Sequence, residues 1–526
     1  MQREFSSLKD RKFDLLICGG GIYGAWTAYD AALRGLQVAI VDQGDWASGT
    51  SSASSKLIHG GLRYLETLDF KLVKKALAER ELLLAIAPHR VWPLRFGVPV
   101  YKDSRIGRLQ LKLGLMLYDF LGRNQHLSQR HRYFNRQQFT QQFPSLNHSN
   151  LSAGFTYVDA QTDDARLVLE LIDGALSAGA VCLSYCEISR YLENNAQVCG
   201  AEVIDLVSRE SLEVYAKQIV NTTGRWMTEL EEVNPWCRLS KGVHLVLPNI
   251  LNDRALLLTA KSDGRVFFII PWYGLTLIGT TDTNYAGNLD QPNVEQDEIN
   301  YLLNEANHCL HDVNWKQDDI LGKFAGLRVL QQSGKSSPST ISRDWELKTL
   351  QNGLHISLGG KITSAREDAA NIVDTVMKRL GIDQNCQTQD RSFPWKPPKS
   401  YSQWHKTNMD KAVNLGIDSE SAHWLLRRHG NRVAQIFRLI ENQPDLVQRI
   451  TTTTPFILAD LVFCAEQEMV VHLEDLLRRR IPLFILTNMS FSKLRELAEI
   501  TGNVLGWDET RTNTEIDLCT RTWLCL

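Results

Sequence analysis

The sequence predicts an α/β chain: a Rossmann-like dinucleotide-binding domain, interrupted by an inserted antiparallel sheet and followed by a helical domain. Three observations carry this. The cluster Gly19-Gly20-Gly21, with Gly24, stands between the apolar runs Leu15–Ile17 and Val38–Val41, and the second run ends on Asp42. Strand-like apolar segments dominate from Lys241 to Asp282, and beyond Phe393-Pro-Trp-Lys-Pro-Pro398 the patterning turns helical. The expected layout is a nucleotide-binding domain over 1–392 with an inserted layer mainly at 68–150 and 235–350, a linker over 393–400, and a helical domain over 401–526.

Bulk properties exclude several classes. A chain of 526 residues exceeds the size at which one core stops growing, so more than one domain is expected. With 43% hydrophobic and 22% charged residues it is an ordinary globular composition, and a net charge of −2 argues against a nucleic-acid partner. The ten cysteines form no C-x-x-C pair or zinc spacing, which predicts reduced thiols, a cytoplasmic setting and no metal site. The N-terminus lacks a signal-like apolar region and no apolar run reaches spanning length, so any membrane contact is expected to be peripheral.

In the first βαβ unit, Gly19 permits the tight turn out of the strand, Gly21 lets a pyrophosphate approach the backbone, and Gly24 lets the helix pack on the sheet. The helix start at Ile22 offers its N–H groups and dipole to the phosphates, and Asp42 is placed to accept from the adenosine ribose. FAD, NAD and NADP satisfy these residues equally. The following loop is rich in hydroxyls, including Thr50, Ser51, Ser52 and Ser55, and runs into Lys56-Leu-Ile-His59-Gly60-Gly61. It leaves the carboxyl end of the second strand, where open α/β sheets bind ligands; a solvated loop is the plain alternative.

Residues 69–87 read as a packing helix with Leu72, Ala76, Leu83 and Ile86 on one face. In 104–121, Ile106, Leu109, Leu113, Met116 and Phe120 form a stripe beside Arg105, Arg108 and Lys112. That pattern favours packing on the protein's own core, with a membrane interface as the alternative. Thr162-Asp163-Asp164 reads as a cap for the helix from Arg166. Short strands between 181 and 220 close on Thr222-Thr223-Gly224-Arg-Trp226, which brings backbone close to a ligand. His244 lies on a strand of the antiparallel block, in which Tyr273-Gly274 forms a hairpin turn.

Arg328 and Arg343 could converge on one anion through their planar forks, or pair with carboxylates such as Asp344. The strand 355–358 runs through Gly359-Gly360-Lys361 into a helix expected over Ile362–Leu380, offering positive charge near Ile362. In the tail, helices are expected at 419–429, 433–440 and 456–480, with Arg478-Arg479-Arg480 as a C-terminal charge cluster.

Thr50 to Glu66, TSSASSKLIHGGLRYLE, resembles the signature of the FAD-dependent glycerol-3-phosphate dehydrogenases of the aerobic, respiratory type, and the resemblance extends over about Phe13 to Leu380. It implies an FAD-binding domain and oxidation of sn-glycerol 3-phosphate to dihydroxyacetone phosphate by hydride transfer from C2 to flavin N5. It also implies electrons passing to a membrane quinone, with the protein peripheral on the inner face of the cytoplasmic membrane. Carried onto this chain, it assigns Arg328 and Arg343 to the substrate phosphate, Arg63 and Tyr64 to the substrate side, and His244 and Lys361 to the reacting alcohol and flavin. Gly19, Gly21, Ile22, Gly24 and Asp42, with Thr50, Ser51, Ser52, Ser55, Lys56, His59, Gly60 and Gly61 of the serine loop, Thr223, Gly224, Trp226 and Gly360 to Ile362, would face FAD. Val329, Trp345, Ser364 and Ala365 depart from the family pattern. A dioxygen-using oxidase and an inactive flavin-binding sensor remain alternatives, and a homodimer is left open.

Overall fold

A computed structural model describes residues 1–66, 68–122, 129–331, 345–398 and 400–524. Its first sheet is built on β1 (Lys12–Cys18), whose Leu15, Leu16 and Ile17 are wholly buried. β1 pairs in parallel with β2 (Val38–Val41) on one side and with Ser211–Asn221 on the other. Val181–Leu183 and His355–Leu358 extend the parallel order outward, and Glu346–Thr349 closes one edge antiparallel. Such a sheet needs both faces covered. α1 (Ile22–Leu33) covers one, its buried Ala25, Ala28 and Ala31 allowing close packing against helices Asp164–Ser177 and Ala365–Leu380.

The second sheet is largely antiparallel, in the order Thr283–Asn284, Cys237–Leu247, Leu275–Gly279, Val266–Trp272, Arg254–Thr259, Val91–Tyr101, Leu151–Thr162, Leu57–Ile58. Tyr273 and Gly274 turn its hairpin with positive φ angles of 50° and 76°. Its limits differ from the expected layer: Leu57–Ile58 and Leu151–Thr162 belong to it, whereas Glu346–Thr349 pairs in the first sheet. The chain crosses between sheets inside the serine-rich loop, so linear boundaries cannot separate them.

α2 (Phe70–Ile86) is capped by Asp69, which accepts from the Leu72 N–H at 3.2 Å. α3 (Arg108–Leu121) buries only Leu115 and Tyr118 completely. Asp163 does cap the helix after it, but Asp164 forms a buried ion pair with Lys56, Oδ1 to Nζ 2.6 Å. The segment expected to link the domains is packed down: Trp395 is buried, its N–H on Glu170 at 2.8 Å and its indole on Asp173 at 2.6 Å.

The tail is helical, including Tyr401–Asn414, Phe491–Leu505 and Glu509–Cys519, which the sequence patterning does not single out. The single helix expected at 456–480 is instead Leu458–Gln467, a break at Met469 with φ 51°, and a π-helical turn Asp475–Arg480. Arg478, Arg479 and Arg480 are all buried, not a solvated terminus. His429, Asp460 and Cys464 lie close together, but the Asp460 carboxylate already accepts from Arg428 and His429, each at 2.7 Å. They read as a polar tie within the core. Among the described residues, no helix is long and apolar enough to cross a membrane.

Candidate active site

A cavity of about 1360 Å³ runs from the glycine turn after β1 to the second sheet and the start of α3. At one end the geometry explains each fingerprint glycine. Gly19 has φ +105°, and a Cβ there would sit 2.8 Å from the Thr222 carbonyl; a Cβ on Gly24 would sit 1.9 Å from the Gly19 carbonyl. Gly21 lies open to the cavity beside Ser51, whose hydroxyl accepts from the Ile22 N–H at 2.8 Å. Asp42 accepts from the Gly20 and Gly44 N–H groups at 2.5 and 2.8 Å. Burial nevertheless pushes its carboxyl up to about 6. Burial also pushes the neighbouring Cys18 thiol up to about 12, which keeps it unreactive.

Thr50, Ser51, Ser55, His59, Gly61, Thr223, Gly224 and Trp226 all line the same cavity, and the Thr50 hydroxyl is tied to the Leu327 carbonyl at 2.5 Å. Four residues expected on the cofactor do not line it: Gly24, Ser52, Lys56 and Gly60. Gly24 serves helix packing. Lys56 turns into the protein, donating to the Ser52 carbonyl at 2.8 Å and to Asp164, because a buried ammonium needs a carboxylate. Gly60 is pressed against Leu77, which a Cβ would approach to 2.4 Å.

Elsewhere on the wall Gly359 and Gly360 take φ of 69° and 99°, delivering Lys361 and Ile362 to the cavity. The helix begins at Ala365, three residues later than expected, after a turn held by the Ser364 hydroxyl on Asp368 at 2.8 Å. The Lys361 Nζ is buried, has no hydrogen-bond partner among the described residues, and lies 3.9 Å from the Tyr64 ring centroid. Tyr23, one residue into α1, is a contributor that sequence reasoning misses: its hydroxyl accepts from the Lys361 N–H at 2.9 Å and donates to Asp368 at 2.8 Å. A variable position inside a glycine fingerprint carries no signal for such a bond.

Arg63, Tyr64, His244 and Arg328, expected on the substrate side, line the same cavity. His244 is buried in the strand Cys237–Leu247, stacked at 12° on Phe324, with its Nε2 2.8 Å from the Ser55 Oγ. Burial, with Arg328 and Lys56 nearby, holds its pKa well below the ordinary 6.5, so the ring is neutral at pH 7. Arg328 reaches the Thr280 hydroxyl at 3.0 Å and Asp282 at 3.4 Å. Arg343 lies outside the described residues. Of the departures, Val329 alone lines the cavity, while the Trp345 indole bonds Ser357 at 2.9 Å.

The donor set fits FAD. Crowded glycines and a helix start suit a pyrophosphate, while an orphaned buried ammonium beside a glycine turn suits the anionic edge of a flavin. Comparison with known proteins agrees. Residues 14–363 match the family described as FAD dependent oxidoreductase, and 398–512 match the C-terminal domain of alpha-glycerophosphate oxidase. The chain is therefore an FAD-dependent oxidoreductase.

Within that class it belongs to the glycerol-3-phosphate dehydrogenase family. It is 35% identical to the glycerol-3-phosphate dehydrogenase of Synechocystis over 98% of this chain and 97% of that protein. It is 34% identical to the aerobic glycerol-3-phosphate dehydrogenase of Staphylococcus epidermidis over 90% and 87%. The FAD complex of the Bacillus halodurans glycerol-3-phosphate dehydrogenase superposes with a TM-score of 0.80 at 28% identity, covering 98% of this chain and 96% of that one.

Proposed function

We propose that this protein oxidises sn-glycerol 3-phosphate to dihydroxyacetone phosphate and passes the electrons to a membrane quinone. The observation that carries the chemistry is the meeting of the glycine turn, Lys361, neutral His244 and Arg328 on one cavity. When bound, FAD supplies a hydride acceptor at N5 for the hydrogen leaving C2. The C2 hydroxyl must lose a proton in the same event, and neutral His244 is the base, its ring held by the Ser55 hydroxyl at Nε2. Arg328 holds the substrate phosphate, the role that the family resemblance also gives to Arg343. Arg63 and Tyr64 line the substrate side, and Lys361 opposes negative charge at the flavin edge. Anaerobic addition of glycerol 3-phosphate should bleach the yellow holoenzyme; an unbleached spectrum refutes the reading and leaves a flavin-binding sensor.

The quinone assignment draws on α3. Leu109, Leu113, Met116 and Phe120 are 72%, 58%, 49% and 79% exposed, so the stripe does not serve the protein's own core. With Arg105, Arg108 and Lys112 beside it, the helix suits the interface of an anionic membrane, on the cytoplasmic side. Turnover should be fast with a quinone analogue and slow with dioxygen. Rapid turnover with dioxygen alone would assign the oxidase activity instead.

A further inference from the structure

The π-helical turn Asp475–Arg480 has no part in the chemistry above, yet it buries three arginines in an otherwise ordinary helical domain. Two of them, Arg479 and Arg480, share a partner far away in sequence. The Asp45 carboxylate accepts from the Arg479 Nε at 2.5 Å and from Arg480, and all three groups are buried. Arg479 is also held by Asp475 at 2.7 Å, and Arg480 by the Glu468 carbonyl at 2.7 Å, so the cations are fixed within their own domain. Next to Asp45, the buried Trp46 directs its indole N–H at the Met469 sulfur, 3.3 Å away, in the same domain.

Asp45 and Trp46 belong to the segment that follows β2. The Trp46 ring is packed under the glycine turn, where a Cβ on Gly20 would come within 2.3 Å of it, and the Ala47 N–H donates to the Gly20 carbonyl at 3.1 Å. Asp42, at the head of the segment, also holds Gly20, accepting from its N–H at 2.5 Å. The glycine turn is thus gripped through one short segment whose far side is anchored on the helical domain.

We infer that Arg479 and Arg480, acting through Asp45, are positioning residues for the adenosine half of FAD: the C-terminal domain sets the segment Asp42–Ala47 that presents the ribose acceptor and supports the glycine turn. This rests on the FAD reading of the cavity. The Asp45 and Trp46 contacts reach the site at the glycine turn, so they bear on the adenosine half, and the flavin half is left to Lys361 and Gly360.

The test uses the full-length chain freed of flavin, with Asp45→Asn, Arg479→Lys and Trp46→Phe, titrated with FAD, ADP and riboflavin 5′-phosphate and followed by flavin fluorescence or calorimetry. Asp45→Asn should weaken FAD and ADP about tenfold, as loss of a charge-assisted hydrogen bond would. Arg479→Lys and Trp46→Phe should weaken them less, and riboflavin 5′-phosphate should bind all four proteins alike. Unchanged ADP and FAD affinity overturns the inference, as does an equal loss for both halves, which would report general unfolding. A wild-type chain that binds ADP but not FAD would overturn the flavin reading instead, with the ADP arm still judging the grip.

Discussion

In its proposed role as ribose acceptor, Asp42 couples pH to the cofactor with two opposite signs. Its folded-state pKa of about 6 lies above its ordinary 3.8 because burial opposes the charge. Proton uptake therefore favours the folded chain as pH falls from about 6 towards 4, while the ionised acceptor offered to the ribose is lost over the same interval. Flavin-free protein should gain thermal stability from this group on acidification, whereas FAD affinity should fall, and Asp42→Asn should abolish both trends. His244 titrates well below 6.5, so its own protonation should leave kcat/KM flat between pH 8 and 7. His244→Gln should lower kcat about 10²- to 10³-fold, as loss of a general base does. Arg328→Ala should weaken substrate binding by about 1.5–3 kcal/mol, read from KM and from inhibition by a phosphate analogue. Lys56→Met should destabilise the fold by about 3–5 kcal/mol in a denaturant melt, since it strands a buried Asp164. The serine loop holds no hint of that burial: a lysine amid hydroxyls and glycines has the composition of a ligand loop. Only its carboxylate partner, more than a hundred residues on, decides where it points.

At the level of elements, periodicity is informative wherever one face is buried. β1, α1 and β2 lie where the glycines and apolar runs put them, because turn chemistry, small-residue packing and strand burial all agree over a short stretch. Two elements are not legible. The strand Leu151–Thr162 is buried along nearly its whole length, so it lacks the alternation that marks a half-exposed strand. Arg479 and Arg480, which follow the break between Gln467 and Asp475, are held by Asp45 of the first domain, and an apolar-periodic pattern with basic residues at its end has the same signature as a plain helix. α3 shows the converse case: its stripe is readable, but whether it faces core or solvent is not, since a one-sided apolar stripe looks the same in either setting. Leu109→Asp with Phe120→Asp should shift the protein from anionic vesicles to the supernatant while leaving its melting temperature unchanged.

On the scale of the whole molecule, the site is a product of two sheets meeting. The first contributes the glycine turn and Gly360, the second His244 and Arg328, and the chain passes between them through Thr50–Gly61. Sequence reasoning finds the members because each sits in a short, chemically marked motif. It does not find the scaffolding contacts, Phe324 under His244 or Tyr23 against Lys361, which involve residues of unremarkable type. Tyr23 carries a dimensional consequence. It stands in the first turn of α1, where the phosphates would lie, and its hydroxyl meets the backbone of the turn that faces the flavin. The separation between these two stations is thereby gauged by a single rigid ring rather than by a flexible loop. Tyr23→Phe should remove this tie and weaken FAD binding, read by flavin titration of the full-length chain.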